Sequence, residues 1–132
     1  MADIQTIESA EAANEAARAE LIAQQNDLFR TSWGMNPSVQ GQIVMTQGVS
    51  ALSPVSLNAI CVAVSAFNEF SEDNDPHGMR DFGTVTVLNQ GVEVRVYWKI
   101  DLYDPSFRYG SDDCADPAKT RRVMTLLFPS EY

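Results

Sequence analysis

The stretch from Val92 to Leu102, VEVRVYWKIDL, constrains the possible fold more than any other part of this chain. Val92, Val94, Val96, Trp98, Ile100 and Leu102 alternate with Glu93, Arg95, Tyr97, Lys99 and Asp101. A period of two belongs to a strand with one face in a core and the other in solvent. Phe82–Leu88 precedes it and places Val85 and Val87 on one side. Asn89-Gln90-Gly91 between the two runs reads as a hairpin turn. A lone hairpin is marginal in water, so its apolar face needs a cover of helices or further strands.

The remaining elements supply that cover. Ser53-Pro54 is a helix start, because Ser caps and Pro suits the first turn. The helix is expected to run to about Phe70, with Leu57, Ile60, Cys61, Val64 and Phe67 on its buried face. Cys61 then reads as a small core residue. Gln42–Thr46 reads as a short buried strand ended by Gly48, and Arg122–Phe128 as a last strand before Pro129. Residues 1–31 read as a helix that Ser9 caps ahead of the Ala/Glu run. Leu21/Leu28 and Ile22/Phe29 repeat at seven residues and are expected to share its apolar stripe. The earlier turns offer Ala10, Ala13 and Ala17, so this part projects from the domain or packs on a partner helix. The order α-β-α-β-β-β is expected to give a two-layer α+β fold. It has a mostly antiparallel sheet with two helices on one face. Residues 1–40 form the helix and loop, and residues 41–132 one compact domain.

The formal charge is −9, from 18 acidic and 9 basic residues. A generic binder of phosphate backbones needs a basic surface, so direct nucleic-acid binding is not expected. No apolar run reaches the roughly 20 residues of a membrane span. The acidic, Ala-rich start fits neither a secretory signal nor a transit peptide. Cys61 and Cys114 are the two cysteines, and they show no metal spacing. A cytoplasmic protein with free thiols is expected, without a cofactor or a metal.

The acidic residues fall into three groups. The first comprises Asp3, Glu8, Glu11, Glu15, Glu20 and Asp27. The second comprises Glu69, Glu72, Asp73 and Asp75, with Asp81 just beyond. The third comprises Asp101, Asp104, Asp112, Asp113 and Asp116. Asp81 begins one hairpin strand and Asp101 ends the other, so the hairpin brings the last two groups to a common rim that includes Lys99.

Several chemistries can be weighed at that rim. Asp73-Asn74-Asp75-Pro76-His77-Gly78 opens like a calcium loop, but Thr84 stands where its twelfth position needs a bidentate Glu. Lys99 and Asp101 share a strand face in the order Lys-x-Asp, the reverse of the Glu-x-Lys of common metal-dependent nucleases. Asp81-Phe82-Gly83 matches a kinase tripeptide without the loops that accompany it. His77 is a lone loop histidine, and Cys114 lies among acids that disfavour its thiolate. No catalytic residue is assigned. Recognition fits better: Arg95, Tyr97, Tyr103 and Tyr109 form a candidate aromatic and polar face beside the acidic rim. Lys119, Arg121 and Arg122 form the only basic cluster, expected to pair internally with the acidic loop.

Four stretches carry a resemblance: FNEFSEDNDPHGMRDFG (67–83), WKIDLYD (98–104), SDDCADPAKTRR (111–122) and the final Glu131-Tyr132. On these, residues 51–132 resemble an uncharacterised alphaproteobacterial family of unknown function, found in genomes, plasmids and prophages. Members often carry Glu-His where this chain has Met79-Arg80, and a second Tyr at Leu102. The resemblance implies no activity, but its residues Asn74, Asp75, Asp81, Lys99, Asp101, Asp104 and Asp116 coincide with the rim.

The expected function is that of a small acidic binding protein of a mobile element. As an anti-CRISPR or anti-restriction inhibitor, it would occupy a basic nucleic-acid-binding surface of a host protein. The alternatives are a metal-dependent enzyme using the Asp/Lys rim, or an accessory subunit. Oligomerisation through the N-terminal helix is a further expectation.

Overall fold

A computed structural model describes residues 4–132. The expected helical residues 1–3, with Asp3, lie outside the described residues. In chain order the elements are helix α1 (Ile4–Thr31), strand β1 (Gly41–Met45), the short helix α2 (Gln47–Ser50) and helix α3 (Pro54–Ala66). Strands β2 (Phe82–Asn89), β3 (Val92–Tyr103) and β4 (Arg121–Leu127) follow. Single 3-10 turns lie at Pro117–Lys119 and Pro129–Glu131.

The sheet has four strands in the order β1-β4-β3-β2. The hairpin β2–β3 and the pair β3–β4 are antiparallel, while β1 and β4 run parallel. The fold is thus α+β with a mostly antiparallel sheet. The hairpin connection is Gln90-Gly91, with φ of 52° and 82°. Two successive positive φ values match the twist of the flanking strands, which is why a Gly follows.

Core and solvent faces follow the period of two. Val96, Trp98 and Ile100 of β3 are buried, as are Val85 and Val87 of β2 and Met124 and Leu126 of β4. Ile60 and Val64 of α3 and Phe29 of α1 close over them. Phe67 and Phe70 pack edge-on against the Trp98 ring at 5.5 and 6.1 Å between centroids. Gly83 lies under the same indole, and a Cβ there would overlap it.

The structure corrects several expectations. Ser9 does not cap a helix; α1 begins by Ile4, because nothing in Gln5–Glu8 breaks it. Ile22 and Phe29 are buried, but Leu21 and Leu28 are 50% and 45% exposed. The two seven-residue pairs sit one residue apart, about 100° around the helix, so only one of them can face the core. Helix α3 stops at Ala66 instead of Phe70, where Phe67 turns extended. Arg30 then donates to the carbonyls of Val64 and Phe67 at 3.0 and 2.8 Å. Strand β1 is an edge strand with Val44 and Met45 exposed. Helix α2, capped by the Thr46 side chain, was not expected.

The basic cluster is also corrected. Arg122 is fully buried and reaches no carboxylate. Its Nε–H and Nη2–H donate to Asn26 Oδ1 and Gln25 Oε1 at 2.8 and 3.0 Å, and Nη1 has no partner. It alternates onto the core face of β4 beside Met124, so the strand period overrides its charge. Asn26 and Gln25 pass the connection onward to the carbonyls of Met79 and Ala115. A layer of polar side chains therefore ties α1 to both long loops.

Candidate functional site

The face of the sheet away from α1 and α3 carries the second set of β3 side chains. Lys99 and Asp101 stand two residues apart there, with Nζ to Oδ2 at 2.8 Å. That hydrogen bond holds the Lys99 ammonium above its ordinary pKa. Phe82 pairs with Lys99 across the hairpin, and the Ile100 N–H donates to the Asp81 carbonyl at 2.8 Å. This ladder bond places Asp81 beside the Lys99–Asp101 pair. Burial pushes the Asp81 carboxyl above its ordinary value, and Asp75 and Asp101 add to the rise.

These residues line an open cleft of about 410 Å³ with Phe82, Ile100, Leu127, Glu131 and Tyr132. The two rings that line it, Phe82 and Tyr132, belong to a cluster of three. Phe82, Tyr97 and Tyr132 meet edge to face at 5.1 to 5.9 Å between centroids. The turn that carries Tyr132 is locked by Glu131, whose Oε1 accepts from the Phe128 N–H and the Thr46 hydroxyl at 2.7 and 2.9 Å. Leu127, buried, closes the floor from β4.

The expected rim is brought together only in part. Asp81, Lys99 and Asp101 share the cleft, and Asp75 lies near enough to act on Asp81. The Asp75 carboxylate accepts the Arg80 N–H at 3.1 Å and closes the loop before β2. Asp73 is exposed on that loop. Asp104 lies beyond the cleft and caps its own turn. It accepts from the Ser106 hydroxyl at 2.7 Å, which lowers its pKa, and from the Ser106 and Arg108 N–H groups.

The later loop acids do similar local work. Asp113 accepts the Ala115 N–H and meets Arg18 at 3.8 Å, while Asp116 caps the Pro117 turn. Asp112 is exposed. Asx-type capping of this kind needs only a short side chain and its own backbone. On the aromatic and polar face, Tyr97 packs against Phe82 and Tyr132 of the cleft wall. Arg95 is exposed opposite Thr86, Tyr103 bridges to Gly110, and Tyr109 is exposed.

Of the cleft residues, Phe82, Ile100 and Leu127 are not site residues on spacing, and Glu131 and Tyr132 enter only through the resemblance. A polar-face strand flanked by a short C-terminal aromatic turn is the signal that points to them.

A four-stranded mixed sheet backed by helices, with an acid- and aromatic-lined cleft on its open face, defines a small α+β domain. The model of the family described as a protein of unknown function, DUF3768, matches residues 45–131, and the chain belongs to that family. No curated protein and no solved structure matches the chain. The family match begins at the end of β1 and takes in every residue that lines the cleft except Tyr132. Among the described residues, no helix is long and apolar enough to cross a membrane. Among the same residues, no three His, Cys, Asp or Glu side chains cluster closely enough to hold a metal ion.

Proposed function

We propose that this chain is a small acidic, non-enzymatic binding protein whose cleft-bearing face engages a basic surface of a partner protein. Its concrete form is an inhibitor carried by a mobile element, of the anti-CRISPR or anti-restriction kind. It acts in the cytoplasm by covering a nucleic-acid-binding surface of a host protein.

The observation that supports this reading is the composition of the cleft. Asp81, Asp101 and Glu131 offer carboxylates, Lys99 is tied to Asp101, and Phe82 and Tyr132 offer ring surface. Carboxylates beside rings suit a guanidinium or ammonium group, by charge-assisted hydrogen bonds and cation–π contact. The net charge of −9 favours approach to a basic patch at long range.

The test is calorimetric titration of the full chain with an oligo-arginine peptide, at low and at physiological salt. Binding that D81N/D101N weakens by about tenfold or more supports the reading. Equal binding by both proteins, or none by the parent, overturns it.

One observation favours a second reading. Asp81 keeps its proton to a higher pH than an ordinary carboxyl and sits beside the Lys99–Asp101 pair. A carboxyl with a raised pKa in a cleft is a candidate general acid or base. An enzyme using these side chains would lose turnover in D81N while keeping its ligand affinity, which the same variant distinguishes.

A further inference from the structure

Helix α1 has two halves with different surroundings. Ile22, Ala23, Asn26, Phe29 and Arg30 are buried against the domain. Every residue from Ile4 to Arg18 is exposed. A second stripe runs the length of the helix on the side away from the domain. It follows a seven-residue repeat: Ile7, Ala10, Asn14, Ala17, Leu21, Gln24 and Leu28, all exposed. Three of them are large and apolar, with Ile7, Leu21 and Leu28 at 48%, 50% and 45% exposure. Spacings of three and four along a helix form the seam of a coiled coil. The domain does not obstruct this seam, because its contacts lie on the opposite side of the helix cylinder.

We infer that α1 pairs antiparallel with α1 of a second copy of this chain, centred between Asn14 and Ala17. In this register Ala10 faces Leu21 of the second copy, and Asn14 faces its Ala17. Leu21 of each copy thus meets the small Ala10 of the other, and Asn14 the small Ala17, which allows close approach of the helices at these levels. The two-fold axis repeats each contact.

Charge selects the orientation. Glu11 and Arg18 flank the seam on the same side, seven residues apart. An antiparallel pair sets Glu11 of each copy against Arg18 of the other, giving two ion pairs. A parallel pair would set Glu11 beside Thr6 and Arg18 beside Ala13, with no cross-strand ion pair. It would also align the acidic N-terminal halves of both helices, with Glu8, Glu11 and Glu15. The Arg18 side chain is 54% exposed and its contact with Asp113 is 3.8 Å long, so the guanidinium remains open to a second carboxylate. Antiparallel helices also oppose their dipoles favourably.

The test is sedimentation equilibrium of the full chain over a wide concentration range, with three variants. The parent is expected to be a dimer. E11R and R18E are each expected to raise its dissociation constant about tenfold or more, since two attractions become two repulsions. E11R/R18E exchanges both charges and is expected to restore the dimer. Both positions are exposed, and thermal unfolding of each variant confirms an intact fold. A parent that stays monomeric overturns the inference, even if the helix proves to bind another protein. So does a dimer indifferent to both single reversals, or one that the double exchange fails to restore. None of these variants touches the cleft, so basic-peptide binding is read out separately.

Discussion

Arg122 on the central strand β4 donates to Asn26 on helix α1 at 2.8 Å, and no carboxylate accompanies the pair. A buried guanidinium held by neutral amides keeps most of its desolvation penalty, which is why burial lowers its pKa to about 10. Such a group specifies how α1 sits on the sheet more than it strengthens the fold.

Substitution at the two ends of this bond should therefore differ in sign. N26A leaves the cation buried without its best acceptor and should destabilise the protein by about 2–3 kcal/mol. R122M keeps the volume and removes the charge, so its unfolding midpoint should equal or exceed that of the parent. Chemical denaturation of both variants decides the matter. A strongly destabilised R122M beside a tolerant N26A would contradict this account.

Gly83 makes a second prediction. Its position under the Trp98 indole leaves no room for a methyl group. G83A must displace the ring from its contacts with Phe67 and Phe70, at a cost of about 2–3 kcal/mol. The near-ultraviolet circular dichroism of Trp98 should change with it. A variant as stable as the parent, with an unchanged aromatic spectrum, would show that the core yields here.

Asp81 links stability to pH. Its folded carboxyl has a raised pKa, so the folded state holds this proton more tightly than the unfolded chain. As pH rises above the ordinary carboxyl value the unfolded chain releases the proton first, and stability falls until the folded group has also ionised. D81N carries no such charge. It should melt higher than the parent at neutral pH, with the difference shrinking to nothing below the ordinary carboxyl value. Melting curves across the acid range test this, and a difference independent of pH would refute it.

The parts of this structure legible in the sequence are those with local causes. The β3 alternation placed Val96, Trp98 and Ile100 in the core, and Ser53-Pro54 placed the start of α3. Asp81, Lys99 and Asp101 met because one hairpin register brings them together. What escaped has distant causes. The parallel pairing of Gly41–Met45 with Arg122–Leu126 leaves no local trace, and α2 has too few residues to show a period. Arg122 reads as part of a basic cluster paired with the acidic loop, because a charge predicts a carboxylate partner unless distant amides are known to converge on it. Asp104, Asp113 and Asp116 looked like rim members, but their carboxylates are engaged with turns a few residues away.

The place of β4 bears on how the chain is made. Strand β1 pairs with β4 alone, and β4 also carries the hairpin on its other edge. During synthesis β1 waits for some eighty residues to emerge before it meets a neighbour, as its register from Gly41 to Arg122 requires. Contacts of such separation close slowly. The hairpin and α3 are thus complete on the ribosome well before the sheet is, and an early stop ahead of Arg121 would leave two unpaired edges for proteases or other nascent chains to find.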